Sequence, residues 1–314
     1  MSQMSTAAAR VIDPILSTVA QGYQNNNLVG GALFPTVTVP QRAGKVISFN
    51  KDSFFAYDTA RAPGTVIKRL QVGYGSSSYG ILDHGLAAVV PRELQEEAQA
   101  VPGINLASAS INTVMDALRL RLEVEQAALA TTAGNYNSTN KTTLSGTSQW
   151  SDQTSGVSDP IKDIETGKEA IRAATGKRPN TIVMGAAVAR FIRQHPKILD
   201  RTKYTGRDVP TVDLLASLFD VQRVLIGDAI SSTDAGVFSD VWGKTVVIAY
   251  TELGSLTDAG RPTFGYTYQL GGYPFVEPPR YDADIRSWIY DVADAVKPVI
   301  AAQDAGYLIS AAVA

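Results

Sequence analysis

The chain has 314 residues, of which 45% are hydrophobic and 18% charged, with a formal net charge of -2 and no cysteine. That length is enough to bury a large core and to form two domains. The near-neutral balance supplies no basic field of the kind that grips nucleic acid through its phosphates, and the missing thiols exclude a disulfide framework, thiolate catalysis and Cys-ligated metal. The charged fraction lies below the usual quarter, which predicts an exterior partly covered by other molecules. The first 24 residues lack a continuous apolar signal-peptide segment. No apolar run reaches the roughly 18 residues needed to span a membrane, so the expectation is a protein made soluble in the cytosol.

Residues 1–40 read as an arm. A short helical pattern over 11–23 has Pro14 in its first turn and is followed by polar Gln24 to Asn27 and the proline-punctuated LFPTVTVP. Residues 45–50 (KVISFN) alternate like a strand. Two β-like runs, 65–74 and 79–90, flank the Gly/Ser-rich residues 75–78 and predict a long hairpin. Two strands alone are only marginally stable in water, so this hairpin needs a partner surface in its own domain or on another subunit. Pro91 opens a short helix, PRELQEEAQA, stopped by Pro102 and Gly103.

Residues 104–133 form the longest uninterrupted helical pattern, a rod of about 40 Å. Wound at the helical period, Ile111, Met115, Leu118, Leu122 and Leu129 fall on one side and Ala117, Leu120, Val124 and Ala127 on roughly the opposite one. Asp116, Arg119 and Glu123 share a narrow polar seam, and Gly134 is placed as the C′ residue. A helix apolar on two sides is expected to be gripped between two layers, as a spine.

The following residues 135–159 are polar, with Tyr136, Leu144, Trp150 and Val157 as anchors, and a loop this long is functional, mobile or an excursion. Asp159 and Pro160 start a second helix that ends at Gly176. From Lys177 an α/β pattern follows: TIVMG, VQRVLIG and KTVVIAY as strands, with helices over 186–193 and 211–219. The remainder from Thr263 is β-rich, and all its strands are expected to return to the sheet under the spine.

A search for chemistry finds little. Of the two histidines, His84 neighbours Asp83, an arrangement that can serve a general base, although adjacent strand residues point to opposite faces and a solvated hairpin residue is the plainer reading. His195 precedes Pro196 at a helix end, where an imidazolium suits the dipole. GYGSSSYG matches no phosphate-binding pattern, and neither GxSxG nor HExxH occurs. The pairs Asp282 with Asp284 and Glu96 with Glu97 read as surface carboxylates, and the sequons at Asn137 and Asn140 have no consequence without secretion. Arg61, Lys68 and Arg69 make the hairpin locally basic; with Tyr74 and Tyr79 they are the candidates for inter-subunit contact. The reading that remains is a building block.

The phrases LFPTVTVP, TARAPG…KR…GY with VPREL after it, ALATTAGNYNSTNK, SQWSD…DP, GKRPNTIVMG, HPKILDRTKYTGRD, DVWGK and GYPFVEPPRYD occur in this order over residues 10–309. In number and order they resemble the major capsid proteins of tailed bacteriophages with the Hong Kong 97 type of fold. The resemblance implies an α+β fold in which residues 1–44 are an N-terminal arm along a neighbouring subunit and 45–90 an extended β-hairpin loop. Residues 91–179 and 261–314, with the spine at 104–133, form a peripheral domain, and 180–260 an α/β axial domain.

It further implies a structural, non-enzymatic subunit without cofactor or metal, self-assembling into pentamers and hexamers of an icosahedral shell that encloses double-stranded DNA without sequence-specific binding. Scaffolding, portal and decoration proteins are the further partners, no membrane is involved, and assembly takes place in the host bacterial cytoplasm before the protein resides in the virion. An internal scaffolding extension of the longer kind is expected to be absent or removed. The Lys–Asn cross-linking of some members is not carried over to Lys45, Lys51 or Lys68. The alternatives are an encapsulin-like cargo shell, a tail-tube or decoration protein, and a hydrolase using His84.

Overall fold

The computed structural model describes residues 16–17, 20–21, 28–48, 60, 75–99, 105–154, 156–202, 210–232, 236–252 and 263–314. The first half of the chain supplies α1 (Gly30–Leu33), β1 (Thr36–Val39), β2 (Ala43–Ser48), β3 (Gly75–Gly80), β4 (Leu82–Pro91), α2 (Arg92–Gln99), α3 (Leu106–Thr131) and β5 (Lys141–Thr143). The α/β segment supplies α4 (Pro160–Thr175), β6 (Thr181–Gly185), α5 (Ala186–Gln194), α6 (Pro196–Thr202), α7 (Val212–Leu218), β7 (Arg223–Gly227), β8 (Ile230–Ser232), β9 (Phe238–Asp240) and β10 (Val246–Ala249). Last come β11 (Gly265–Leu270), β12 (Phe275–Val276), β13 (Arg280–Asp282), β14 (Ser287–Ile300) and β15 (Gly306–Ser310).

Strand β14 organises a six-stranded sheet. Along one edge it pairs antiparallel with all of β4, and along the other with β11, β12 and β13 in turn, while β1 joins β11 in parallel. A second sheet of five strands runs β5-β15-β10-β6-β7. Its strands β6 and β10 are buried at every residue, the pattern of strands covered on both faces. On one face lie α4 to α7, through Ile164, Ile171, Val188, Ile192, Ile198 and Leu215. Helix α4 starts and stops where the sequence says: Asp159 accepts the Lys162 N–H at 3.1 Å, Pro160 occupies the first turn, and Gly176 takes the left-handed conformation (φ 67°) with its N–H on Arg172 O at 2.8 Å.

The spine α3 joins the two sheets. Over its 26 residues, about 39 Å, the N-terminal half packs Ile111, Val114, Met115 and Leu118 on Ala88, Val90, Tyr290 and Val292 of the six-stranded sheet. Further along, Ala127 and Ala130 meet the back of the five-stranded sheet at Val183, Val247 and Leu308, together with Leu33, Phe34 and Trp242. Asn105 caps its start by accepting the Ser108 N–H at 3.2 Å. At its end Gly134 is not the expected left-handed C′ residue; it belongs to a 3-10 turn. The last-turn carbonyls are satisfied instead by side chains: Thr131 and Thr132 donate to Ala127 O and Ala128 O, Asn135 to Leu129 O, and the Tyr136 hydroxyl to Ala130 O at 2.6 Å.

Several expectations are corrected. Residues 75–78 are not a hairpin tip: they belong to β3, paired antiparallel with β2, and the run 65–74 lies outside the described residues. The run beginning at residue 79 likewise divides, since β4 leaves the β2–β3 ribbon to complete the ladder of β14. Residues 30–39 of the arm pack on their own chain, because Leu33 and Phe34 are fully buried and β1 is held by the β11 ladder. The C-terminal strands do not all lie under the spine. Strand β15 pairs with β10 and β5, since its Leu308 and Ile309 fill the two faces of the five-stranded sheet.

The polar stretch 135–159 is no excursion in its described part. Trp150 is fully buried, with its indole N–H on Asp163 at 2.8 Å and its backbone N–H on Ala312 O at 2.7 Å. The second apolar side of the spine is covered only at Ala127: Ala117 is exposed, Leu120 half-buried and Val124 38% exposed.

Candidate functional site

Arm, spine and both sheets meet at the buried carboxylate of Glu123. Its Oε1 accepts the Val29 N–H at 3.0 Å and the Trp242 indole N–H at 2.7 Å, and its Oε2 accepts the Gly30 N–H at 2.8 Å. One residue of the spine thereby holds the start of α1 and the loop before β10. A turn further on, the Gln126 amide donates to Thr267 Oγ1 at 2.8 Å, and that hydroxyl donates to Phe34 O at 3.0 Å. The approach is close enough to demand glycine: a Cβ on Gly30 would lie 2.2 Å from Gln126 Oε1, and one on Gly227 would lie 2.1 Å from the Trp242 ring. Arg223 adds a second tie, donating to Ala32 O at 3.1 Å and to the hydroxyls of Thr181 and Thr251; burial pulls its guanidinium below the ordinary arginine range. Sequence reasoning assigned Glu123 to a polar seam. The signal it missed is that Glu123, Ala127 and Ala130 share a face, where small residues allow a close neighbour.

Strands β2 and β3 form a separate two-stranded antiparallel ladder. Arg42 pairs with Asp83 and donates to the Tyr273 hydroxyl at 3.2 Å, and Ile81 N–H bonds Arg42 O at 2.8 Å. Of the five contact candidates, Tyr79 lies in this ladder with its ring stacked on Tyr268, centroids 4.2 Å apart and planes 14° apart. Arg61, Lys68, Arg69 and Tyr74 lie outside the described residues. Open apolar positions occur at Leu82 and Leu86 on one face of β4, at Val89 on its other face, and at Ile230, Val237 and Phe238 on or beside the β8–β9 hairpin.

The histidines do not assemble a catalytic pair. Asp83 is engaged by Arg42, whereas His84 points to the seam between β4, β14 and the spine, among Arg121, Glu125, Asp294 and Lys297. Its buried Nε2 has no hydrogen-bond partner, and burial first, then Arg121, hold the imidazole below its ordinary pKa. His195 stands at the end of α5, but its burial disfavours the imidazolium expected there. It is buried against Ser158, with Nε2 3.2 Å from the hydroxyl, and burial, then Lys197, push its pKa down. Among the described residues no group of His, Asp and Glu could hold a metal ion, and no helix is long and apolar enough to cross a membrane.

A long helix bridging two sheets, with a separate two-stranded ribbon beside them, is the architecture of a shell-building subunit with the Hong Kong 97 type of fold. No family model matches the chain. Over 306 residues it is 36% identical to the major capsid protein of Burkholderia phage BcepMu, covering 96% of each sequence. The crystal structure of a phage-related protein from Bordetella bronchiseptica is 42% identical and superimposes with a TM-score of 0.82 over 96% of this chain and 98% of that one. An encapsulin complex from Synechococcus elongatus, 13% identical with a TM-score of 0.55 over 99% and 96% of the two chains, shares the fold alone. The chain belongs to the major capsid protein family of bacteriophages. It is a structural protein of the virion shell, not an enzyme, and its copies assemble with one another.

Proposed function

We propose that the copies close as pentamers and hexamers into an icosahedral shell around double-stranded DNA. The observation that carries this reading is the 36% identity to a phage major capsid protein across nearly the whole chain. In this reading residues 1–44 begin as an arm, 45–90 contain the extended loop, 91–179 and 261–314 supply the peripheral domain and 180–260 the axial domain, with β5 and β15 joining the axial sheet and α4 packing on it. Contacts to neighbouring copies run through Arg61, Lys68, Arg69 and Tyr74 on the loop, with Tyr79 anchoring its root. Scaffolding, portal and decoration proteins are the further partners, and assembly takes place in the host bacterial cytoplasm. A net charge of -2 suits this role, since a closed wall confines DNA without a basic groove on every subunit.

The encapsulin-like alternative is favoured only by shared fold at 13% identity. Sedimentation of the purified protein, with its scaffold if one is needed, tests the shell reading: fast-sedimenting particles are expected, and a compact monomer under every assembly condition contradicts it. Particles from infected cells should contain nuclease-protected DNA. A cargo enzyme in its place would return the encapsulin reading.

A further inference from the structure

Helix α5 presents Arg190 and Arg193, spaced i and i+3, to a surface groove of about 470 Å³. The groove opens at the C-terminal ends of the parallel strands β6 and β7, and Gln194, Leu199, Ile226 and Asp228 complete its walls. Its walls carry two guanidiniums against the single carboxylate of Asp228, a net positive charge. Among the described residues neither arginine has an ion-pair partner: Arg190 lies over the Phe191 ring at 4.8 Å, and the Nε of Arg193 is buried without an acceptor. A buried donor with no acceptor is costly and uncommon in a finished structure, so its partner is expected from outside the chain. A guanidinium fork is matched bidentately by a carboxylate or a phosphate, and of the two a protein neighbour supplies the carboxylate.

Two residues beyond Asp228 the β8–β9 hairpin begins, with Ile230 52% and Phe238 70% exposed; it is fixed to the same turn by Val241 N–H on Ala229 O at 2.9 Å. An exposed apolar element flanked by arginines has the composition of a protein–protein contact. The partner follows from the family: subunits of a capsid meet further copies of themselves, and each copy carries 30 Asp and Glu residues. We infer that this patch is a contact between copies, in which the hairpin packs on the neighbouring subunit and the Arg190–Arg193 groove receives a carboxylate side chain from it. The inference rests on the shell reading.

The test compares the full-length chain with the Arg190→Glu/Arg193→Glu variant under the same assembly conditions. The variant is expected to melt at the temperature of the parent and to yield at least about tenfold fewer shells, the change produced by losing about 1.4 kcal/mol per contact. Equal shell yields from both proteins overturn the inference and leave the shell reading intact. A wild-type chain that forms no shell overturns the shell reading, and the inference with it. If the variant melts early, imaging of wild-type shells decides. A carboxylate of an adjacent copy within about 4 Å of either guanidinium supports the inference, and a groove facing solvent or a different protein overturns it.

Discussion

Glu123→Gln isolates the junction on which the architecture depends. The substitution keeps the shape but replaces one acceptor oxygen by an amide nitrogen. In the less costly orientation the remaining oxygen still accepts from Val29 and Trp242, and the new NH2 faces the Gly30 N–H at a site where the carboxylate oxygen lies 2.8 Å away. The clash leaves one buried donor unsatisfied, at about 1–3 kcal/mol, and two charge-assisted bonds become neutral, each weaker by roughly 1 kcal/mol. Relief of the carboxylate's own desolvation offsets part of the loss, leaving a net of about 2–4 kcal/mol. Urea and thermal unfolding of the unassembled protein measure this directly, and a shift of about 2–4 °C per kcal/mol predicts a fall in Tm of roughly 5–15 °C. A variant melting within about 1 °C of the parent refutes the view that Glu123 holds arm, spine and β10 loop together.

Gly185→Ala should be more severe, because its Cβ would lie 1.9 Å from the Gly243 carbonyl oxygen; failure to accumulate as soluble protein is the expected outcome on expression. Leu118→Ala, deep in the spine–sheet contact, should cost about 2–5 kcal/mol, whereas Val124→Lys on the uncovered side should change the stability of the unassembled chain by no more than about 0.5 kcal/mol. Chemical denaturation of both variants checks the pair. His84 and His195 titrate below 6.5 in the folded chain and near about 6.5 when unfolded, so the unfolded state binds more protons in that window. Their stabilising contribution is complete above about pH 6.5 and is lost as the pH falls through the depressed values. Melting curves between about pH 7.5 and 5 should show this loss, and His195→Gln should shallow it.

The parts of the fold governed by local chemistry were legible. Asp159, Pro160 and Gly176 bracket α4 as capping rules require, TIVMG forms a buried strand, and the apolar stripe of Ile111, Met115 and Leu118 finds its sheet. Errors arose where a distant partner overrides composition. Gly75 to Ser78 look like a turn, yet β2 supplies their backbone partners. Tyr79 reads as a candidate for inter-subunit contact, and within the chain Tyr268, far along the sequence, lies against its ring. The β15 segment follows β14 closely in sequence and still leaves for the other sheet, because its two-sided apolar pattern suits an interior strand better than an edge. Glu123 was legible as an acid on a helix, and the face it shares with Ala127 and Ala130 signals a close neighbour without saying that two backbone N–H groups and an indole converge there. The open apolar positions on β4 and the β8–β9 hairpin could not be told from core residues by periodicity alone.

The central claim, that this chain builds a closed shell, is tested most directly by electron microscopy of the assembled protein. The account predicts hollow particles of uniform size whose wall repeats the two-sheet subunit with the spine helix spanning both sheets. Tubes, stacked rings of a tail or dispersed single subunits under conditions that support assembly would contradict it.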